Sequence, residues 1–374
     1  MTQSNDMSYL DHNATTPVSP EVAEAVASCL ATFGNPSSVH QLGRKARAAV
    51  ESAREAVAGF LGAKAANIVF TSGGTEANAL ALRGLAAGAG CASVVASAIE
   101  HPSVLAHVSG ADHISVGGDG RIELGALERA LQSRAGPVLV SLMFANNETG
   151  VLQPIAEAVE LAKTYGALVH CDAVQAPGKT PIDFMALGVD AMSISAHKFG
   201  GLKGAGALVI RDGLTVFADI PGGGQERSRR AGTENVVGLV AFGAAASLGH
   251  KALAEHERVR ALRDRLEMEI LRVASQAKIF GRESSRLGNT CCVAISGVSS
   301  ETQLMRLDLA GVAVSAGSAC SSGKISPSHV LLAMGVSAAD AKCAIRVSLG
   351  RGNTDADIDK FLRVWTPLAL SAAA

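Results

Sequence analysis

Ser195-Ala196-His197-Lys198 ends a run of β-forming residues and precedes a glycine-rich turn over residues 199–206. A lysine amine attacks a carbonyl carbon only when unprotonated. Schiff-base chemistry therefore needs a lysine that is fixed in place and has a depressed pKa. A surface lysine beside a loop would fit the same four residues. What favours chemistry is the company: Asp172, Gln175, His101, Thr75, Cys320 and Arg346 all sit in matching contexts.

Each of these positions has a bland reading beside a chemical one. Thr71-Ser-Gly-Gly-Thr-Glu-Ala-Asn78 reads as a glycine turn between a strand and a helix. It could be a plain capping turn. It could also hold phosphate on backbone N–H groups, with the Thr75 hydroxyl added. It matches neither the dinucleotide fingerprint nor the Walker pattern. In His170-Cys-Asp-Ala-Val-Gln175, Asp172 ends a strand. It could cap the next turn, or pair with the pyridinium nitrogen of pyridoxal phosphate (PLP). His101, in Glu100-His-Pro102, could be structural, or could stack on a ring and carry protons. Arg346 lies inside a short β-run and could form a structural ion pair or grip an α-carboxylate with its fork. Cys320 lies in a small-residue stretch over residues 315–329, of the kind expected to be exposed and mobile. Cysteines such as Cys29 and Cys343 are expected to be buried small hydrophobes, whereas a thiol on a mobile loop suits nucleophilic attack. Lys324 and His329 are candidates for lowering its pKa.

These side chains need a rigid frame. Short β-rich runs are expected at residues 67–70, 93–97, 138–142, 167–171, 191–195 and 205–210, with helices at 75–87, 124–132 and 155–165. Such alternation predicts a mostly parallel sheet covered on both faces, with ligands at the carboxyl ends of the strands. Residues 71–74, 146–150, 172–175 and 197–198 each directly follow an expected strand. A long helical stretch is expected over 234–274, with a domain change inside it. Beyond it, strands at 290–295 and 344–348 and helices at 301–309 and 355–364 suggest a smaller α+β unit.

Composition agrees with this frame. The chain has 374 residues, 48% hydrophobic and 3% aromatic, with a net charge of −1. That length suits a large core and more than one domain. A near-neutral balance gives no electrostatic footprint for nucleic acid. The polar N-terminus does not read as a signal peptide, and the most apolar stretch, 81–99, reads as a helix end, a turn and a buried strand. No membrane association is expected. Seven cysteines without Cys-x-x-Cys spacing point to free thiols in a reducing cytoplasm, and no metal site is expected.

Taken together, the segments resemble the NifS/IscS-type cysteine desulfurases, a branch of the class V aminotransferase family and of the fold-type I PLP enzymes. The resemblance spans nearly the whole chain. Besides the segments above it includes Tyr9-Leu-Asp-His-Asn-Ala-Thr-Thr-Pro17, Phe33-Gly-Asn-Pro-Ser-Ser38, Asn146-Asn-Glu-Thr-Gly150, Gly222-Gly-Gly-Gln-Glu-Arg227, Ala231-Gly-Thr-Glu-Asn235, Gly317-Ser-Ala-Cys-Ser321 and residues 346–351. It implies an α/β fold with a mostly parallel seven-stranded sheet in a large PLP-binding domain over 14–259. A small α+β domain would comprise 1–13 and 260–374 and carry the catalytic cysteine loop.

The resemblance also implies roles. Lys198 is the Schiff-base lysine, Asp172 the partner of the pyridine nitrogen, and His101 a ring-stacking residue that moves protons. Gln175 and Asn147 contact the ring hydroxyl, Asn147 also lying near the substrate. Gly74, Thr75, Ser195 and His197 hold the phosphate. Thr233 reaches the phosphate of the other subunit of a homodimer. Arg346 binds the substrate carboxylate and Cys320 accepts sulfur. The implied reaction takes L-cysteine to L-alanine, leaves a persulfide on Cys320, and serves an acceptor such as an iron–sulfur scaffold protein. The Ser-Ala-Cys-Ser form of the loop favours a general cysteine desulfurase over a selenocysteine-selective lyase. A small-molecule aminotransferase and a non-catalytic platform are the other readings weighed. The chain departs from the family pattern at Phe199-Gly-Gly-Leu-Lys203, where an aromatic and a proline are usual, and at Arg229, where a leucine is common. Its end at Ala374 is shorter than in members that dock a scaffold protein through a longer tail.

Overall fold

The protein is described from a computed structural model, over residues 7–317 and 326–371. After a two-residue strand β1 (Ser8–Tyr9), seven strands form the large sheet. They are β2 (Ile68–Thr71), β3 (Ser93–Ser97), β4 (His113–Ile114), β5 (Val138–Met143), β6 (Leu168–Asp172), β7 (Ala191–Ser195) and β8 (Gly206–Ile210). Their order is β2-β8-β7-β6-β5-β3-β4, and β8 alone runs against the rest. Strands β2, β5, β7 and β8 are buried at every position, which accounts for their near-continuous apolar runs. The short β4 was not expected. Two residues carry no periodicity, and only pairing with Ala96 and Ser97 identifies them.

Helices cover both faces. Gln41–Phe60 packs on Val236–Ser247 so tightly that a Cβ on Gly243 would lie 2.7 Å from the backbone of Ala53. The expected helix over 75–87 is continuous but holds a wider π-helical turn at Leu80–Leu85. The stretch 234–274 is three helices rather than one: Val236–Ser247, Gly249–Ala254 and His256–Val273. At the first break Gly249 meets the Phe60 ring, which would lie 2.1 Å from any Cβ.

A second, antiparallel sheet has the order β12 (Ser315–Ala316), β13 (Ala344–Ser348), β10 (Thr290–Ala294), β9 (Lys278–Phe280). β1 pairs in parallel with β11 (Val312–Ala313), and Asp11 bridges Ser348. These elements share an apolar core in which Leu10 joins Leu266, Ile270, Ile345 and Phe361. Trp365 is fully buried there, with its indole N–H on Gln303 Oε1 at 2.9 Å. The residues at both ends of the chain thus pack together against the edge of the large sheet where its parallel strands end.

Candidate active site

Five of the six mutually parallel strands, β2, β3, β5, β6 and β7, lead into the site at one rim, and the residue that leaves each decides what faces the space beyond. After β2 the chain turns into Gly74–Ala79, whose first N–H groups have no helical carbonyl to bond. A Cβ at Gly74 would lie 2.8 Å from Val174 Cγ2, so the backbone approaches too closely for another residue. After β3 comes His101, whose Nδ1 accepts the Ser103 N–H at 3.1 Å and lies 2.8 Å from Ser103 Oγ. The backbone donor fixes Nδ1 as the acceptor, so the neutral ring carries its proton on Nε2. After β5 the loop carries Asn147. At the end of β6, Asp172 Oδ2 accepts from Asn78 Nδ2 at 2.8 Å and Oδ1 from the Val174 N–H at 3.1 Å. After β7 a tight turn, Ala196–Lys198, presents Ser195, His197 and Lys198.

The facing wall comes from the chain's two ends. Lys198 Nζ donates to the carbonyls of Asn13 at 2.8 Å and Ala14 at 3.0 Å. Gln175 Nε2 donates to the same Asn13 carbonyl at 3.0 Å. From β13, Arg346 extends Nη2 to Asp11 Oδ1 at 2.7 Å and Nη1 to the Asn147 carbonyl at 3.2 Å. Its Nε is buried and has no partner. Ser315, Ala316 and Gly317 complete this side. The two walls enclose a cavity of about 370 Å³.

Charge is distributed unevenly across the cavity. Burial and the nearby Arg346 guanidinium push the Lys198 amine down to about 8, against the opposing pull of Asp172 and Asp11. Loss of hydration also lowers His101, outweighing the Asp172 carboxylate that pulls the other way. Burial, with the cations of Lys198, Lys203 and Lys179, takes His197 to about 4, so its ring is neutral near pH 7. His170, in contrast, is enclosed between Ser141 and Ser193 hydroxyls at 2.9 and 2.8 Å. It is a core histidine of the sheet.

Ten of the twelve expected site residues line this one cavity: Gly74, Thr75, His101, Asn147, Asp172, Gln175, Ser195, His197, Lys198 and Arg346. Thr233 does not. It is exposed, in a stretch that follows three residues with left-handed backbone, Glu226, Arg227 and Ser228. Buried Arg54 holds that turn through Glu226 at 2.7 and 2.8 Å. Cys320 lies outside the described residues, three positions beyond Gly317 of the cavity wall. Sequence reasoning gave no role to Asn13, Asn78, Lys179 or Asp11. Asn78 and Asn13 lie within motifs quoted above, but only the fold turns them toward Asp172 and Lys198.

The donor set fits PLP. A carboxylate on one side, an amine of lowered pKa on another, and Ser195 and His197 beside the free N–H groups of the Gly74 turn match its ring nitrogen, aldehyde and phosphate. The unpartnered Arg346 Nε leaves a donor for a carboxylate beside them.

Comparison with known proteins agrees with this geometry. Residues 8–361 match the aminotransferase class-V family. A cysteine desulfurase of Cereibacter sphaeroides is 47% identical over 371 residues, covering 96% of this chain and 95% of that relative. An IscS-like cysteine desulfurase of Mycobacterium tuberculosis is 42% identical over 376 residues, covering 96% and 95%. The solved structure of a NifS-like protein from Rickettsia africae aligns with a TM-score of 0.90 at 38% identity, over 97% of this chain and 99% of that one. The chain belongs to the aminotransferase class-V family and, within it, to the NifS/IscS-type cysteine desulfurases.

Proposed function

We propose that the chain desulfurates L-cysteine with PLP as cofactor, yielding L-alanine and a persulfide on Cys320. One observation carries this reading above the others. Lys198, Asp172 and a buried, half-satisfied Arg346 share a single 370 Å³ cavity whose lining includes Gly317, three residues before Cys320 in the chain. A small-molecule aminotransferase would use the first three but has no need of a cysteine there. No helix among the described residues is long and apolar enough to cross a membrane.

Asp172 would hold the ring nitrogen of PLP, Gln175 and Asn147 its ring hydroxyl, and Gly74, Thr75, Ser195 and His197 its phosphate. When bound, PLP captures amines at its aldehyde and withdraws electrons from the substrate α-carbon. Arg346 orients the substrate by its carboxylate. Lys198 Nζ, with its amine near 8, takes up the α-proton at neutral pH and can return it. The thiolate of Cys320 attacks the substrate sulfur. An S–S bond forms as the Cβ–S bond breaks, and the electron pair of that bond stays with carbon and is protonated. His101 Nε2 is the exchangeable position available for that proton. Division of the chain into a large domain over 14–259 and a small domain of 1–13 and 260–374 is part of the same reading. So is a homodimer in which exposed Thr233 reaches the partner's phosphate site, with an iron–sulfur scaffold or another protein as sulfur acceptor.

The test is a paired assay of purified protein with PLP, L-cysteine and a reductant. Wild type is expected to give equimolar alanine and sulfide, and Cys320→Ser neither. Unchanged sulfide from the variant would remove Cys320 as acceptor. PLP uptake without alanine from wild type would point to another amino acid as substrate.

A further inference from the structure

Lys179 lies four residues beyond Gln175 and is 9% exposed. Its Nζ donates to Gln175 Oε1 at 2.5 Å and to Asn13 Oδ1 at 3.0 Å. A lysine amine is an expensive filler for such a place, because methionine would occupy similar volume without loss of hydration. What the amine does is restrict the Gln175 amide. With Oε1 held by Nζ, a flip would bring the Gln175 NH₂ against a group that donates. One Nε2–H goes to the Asn13 carbonyl at 3.0 Å, and the other is left for the cavity that Gln175 lines.

We propose that Lys179 is a positioning residue: it fixes the Gln175 amide so that a donor, never an acceptor, meets the ring oxygen of the cofactor. The inference rests on the PLP reading above. A donor at that oxygen stabilises its anionic form and lowers the proton affinity of the lysine-linked cofactor. Lys179 acts in the same direction through its charge when protonated. The groups that face it are mainly cationic. Lys198 and Arg346 act on it directly, and His12 and His197 feel it in turn. The carboxylates of the region act on other members of the set, Asp11 and Asp172 on Lys198 and Asp357 on His12. Burial together with the two cations lowers the Lys179 pKa well below that of free lysine.

The far side of Lys179 borders a second cleft of about 720 Å³, which Lys198 and His12 also line. Truncation to alanine would open that cleft toward the cavity, so the informative variant is Lys179→Met. The readout is the pH titration of the visible absorbance of PLP-loaded protein, for wild type, Lys179→Met, Gln175→Ala and the double variant. Each single variant is expected to raise the midpoint by about half a pH unit or more, roughly a threefold change in proton affinity. The double variant should titrate with Lys179→Met. A wild-type midpoint in Lys179→Met, or shifts that add in the double variant, would overturn the inference while leaving the PLP reading intact. Wild-type protein that takes up no PLP would sink both. Should Lys179→Met fail to fold, Gln175→Glu answers the same question. Its carboxylate would gain Lys179 as counter-ion but lose the hydrogen bond to the Asn13 carbonyl, so the folded variant, whatever its melting temperature, should show the raised midpoint. An unmoved midpoint in the folded variant would overturn the pairing.

Discussion

The two walls of the cavity are built by opposite means. The sheet wall takes its residues from the first positions after consecutive strands, each a few residues from its anchor. The facing wall takes Asp11, Asn13 and Arg346 from segments 335 residues apart in the chain. In the proposed function, chemistry at the cofactor falls to the first wall and recognition of substrate to the second. The backbone carbonyls of Asn13 and Asn147 are where the two meet: that of Asn13, on the facing wall, accepts from Gln175 and Lys198 of the sheet wall, and that of Asn147, on the sheet wall, accepts from Asn13 and Arg346 of the facing wall.

That contrast can be broken most severely at Lys198. Lys198→Ala is expected to reduce alanine production to background and to abolish the visible absorbance of a lysine-linked cofactor, measured after incubation with PLP. A normal spectrum in the variant would move the attachment point elsewhere. On the opposite wall the effect should be smaller and of another kind. Arg346→Ala removes a charged contact of about 1.5–3 kcal/mol, so KM for cysteine should rise roughly ten- to a hundredfold. Absorbance should be kept, because Asp172 and Lys198 do not depend on Arg346 for position. A variant with unchanged KM would show that the carboxylate is held by the sheet wall after all.

The smallest effect is one of pH. A folded-state amine at about 8, below the ordinary 10.5, means that the folded protein holds the neutral form in preference. Capture of PLP by apoprotein should therefore quicken about tenfold per pH unit up to roughly 8, then level off. By linkage, the charged amine opposes folding fully below pH 8, and stability from this group increases between 8 and 10.5. Replacing Arg346 should shift the plateau upward by removing one of the causes. A rate that keeps rising to pH 10 would mean that the facing wall leaves Lys198 unperturbed.

How much of this is legible in the sequence follows from the same contrast. The six longer strands of the large sheet and the polar residues after them are readable, because strand and cavity residue are neighbours: Leu168–Asp172 ends on the carboxylate that lines the cavity. Asn78 and Asn13 lie in motifs that were read, yet their partners are 94 and 185 residues away, and no local pattern encodes such a contact. Lys179 follows a glycine, and nothing near it in the chain announces burial. Three helices were merged into one because Leu248-Gly249 carries no strong stop signal. The packing of Phe60 from another helix decides the break.

The parallel bridge between Asp11 and Ser348 has a consequence for synthesis. Residues 11–14 leave the ribosome first and stay without their partners until Lys198 and then Arg346 follow. A nascent chain can complete the large sheet with Asp172, His101 and Lys198 in place and still lack half of the pocket. Release of a truncated product before β13 would leave a folded-looking sheet unable to recognise its amino acid. The bridge therefore acts as a check on synthesis, since only a chain that has reached β13 can form it.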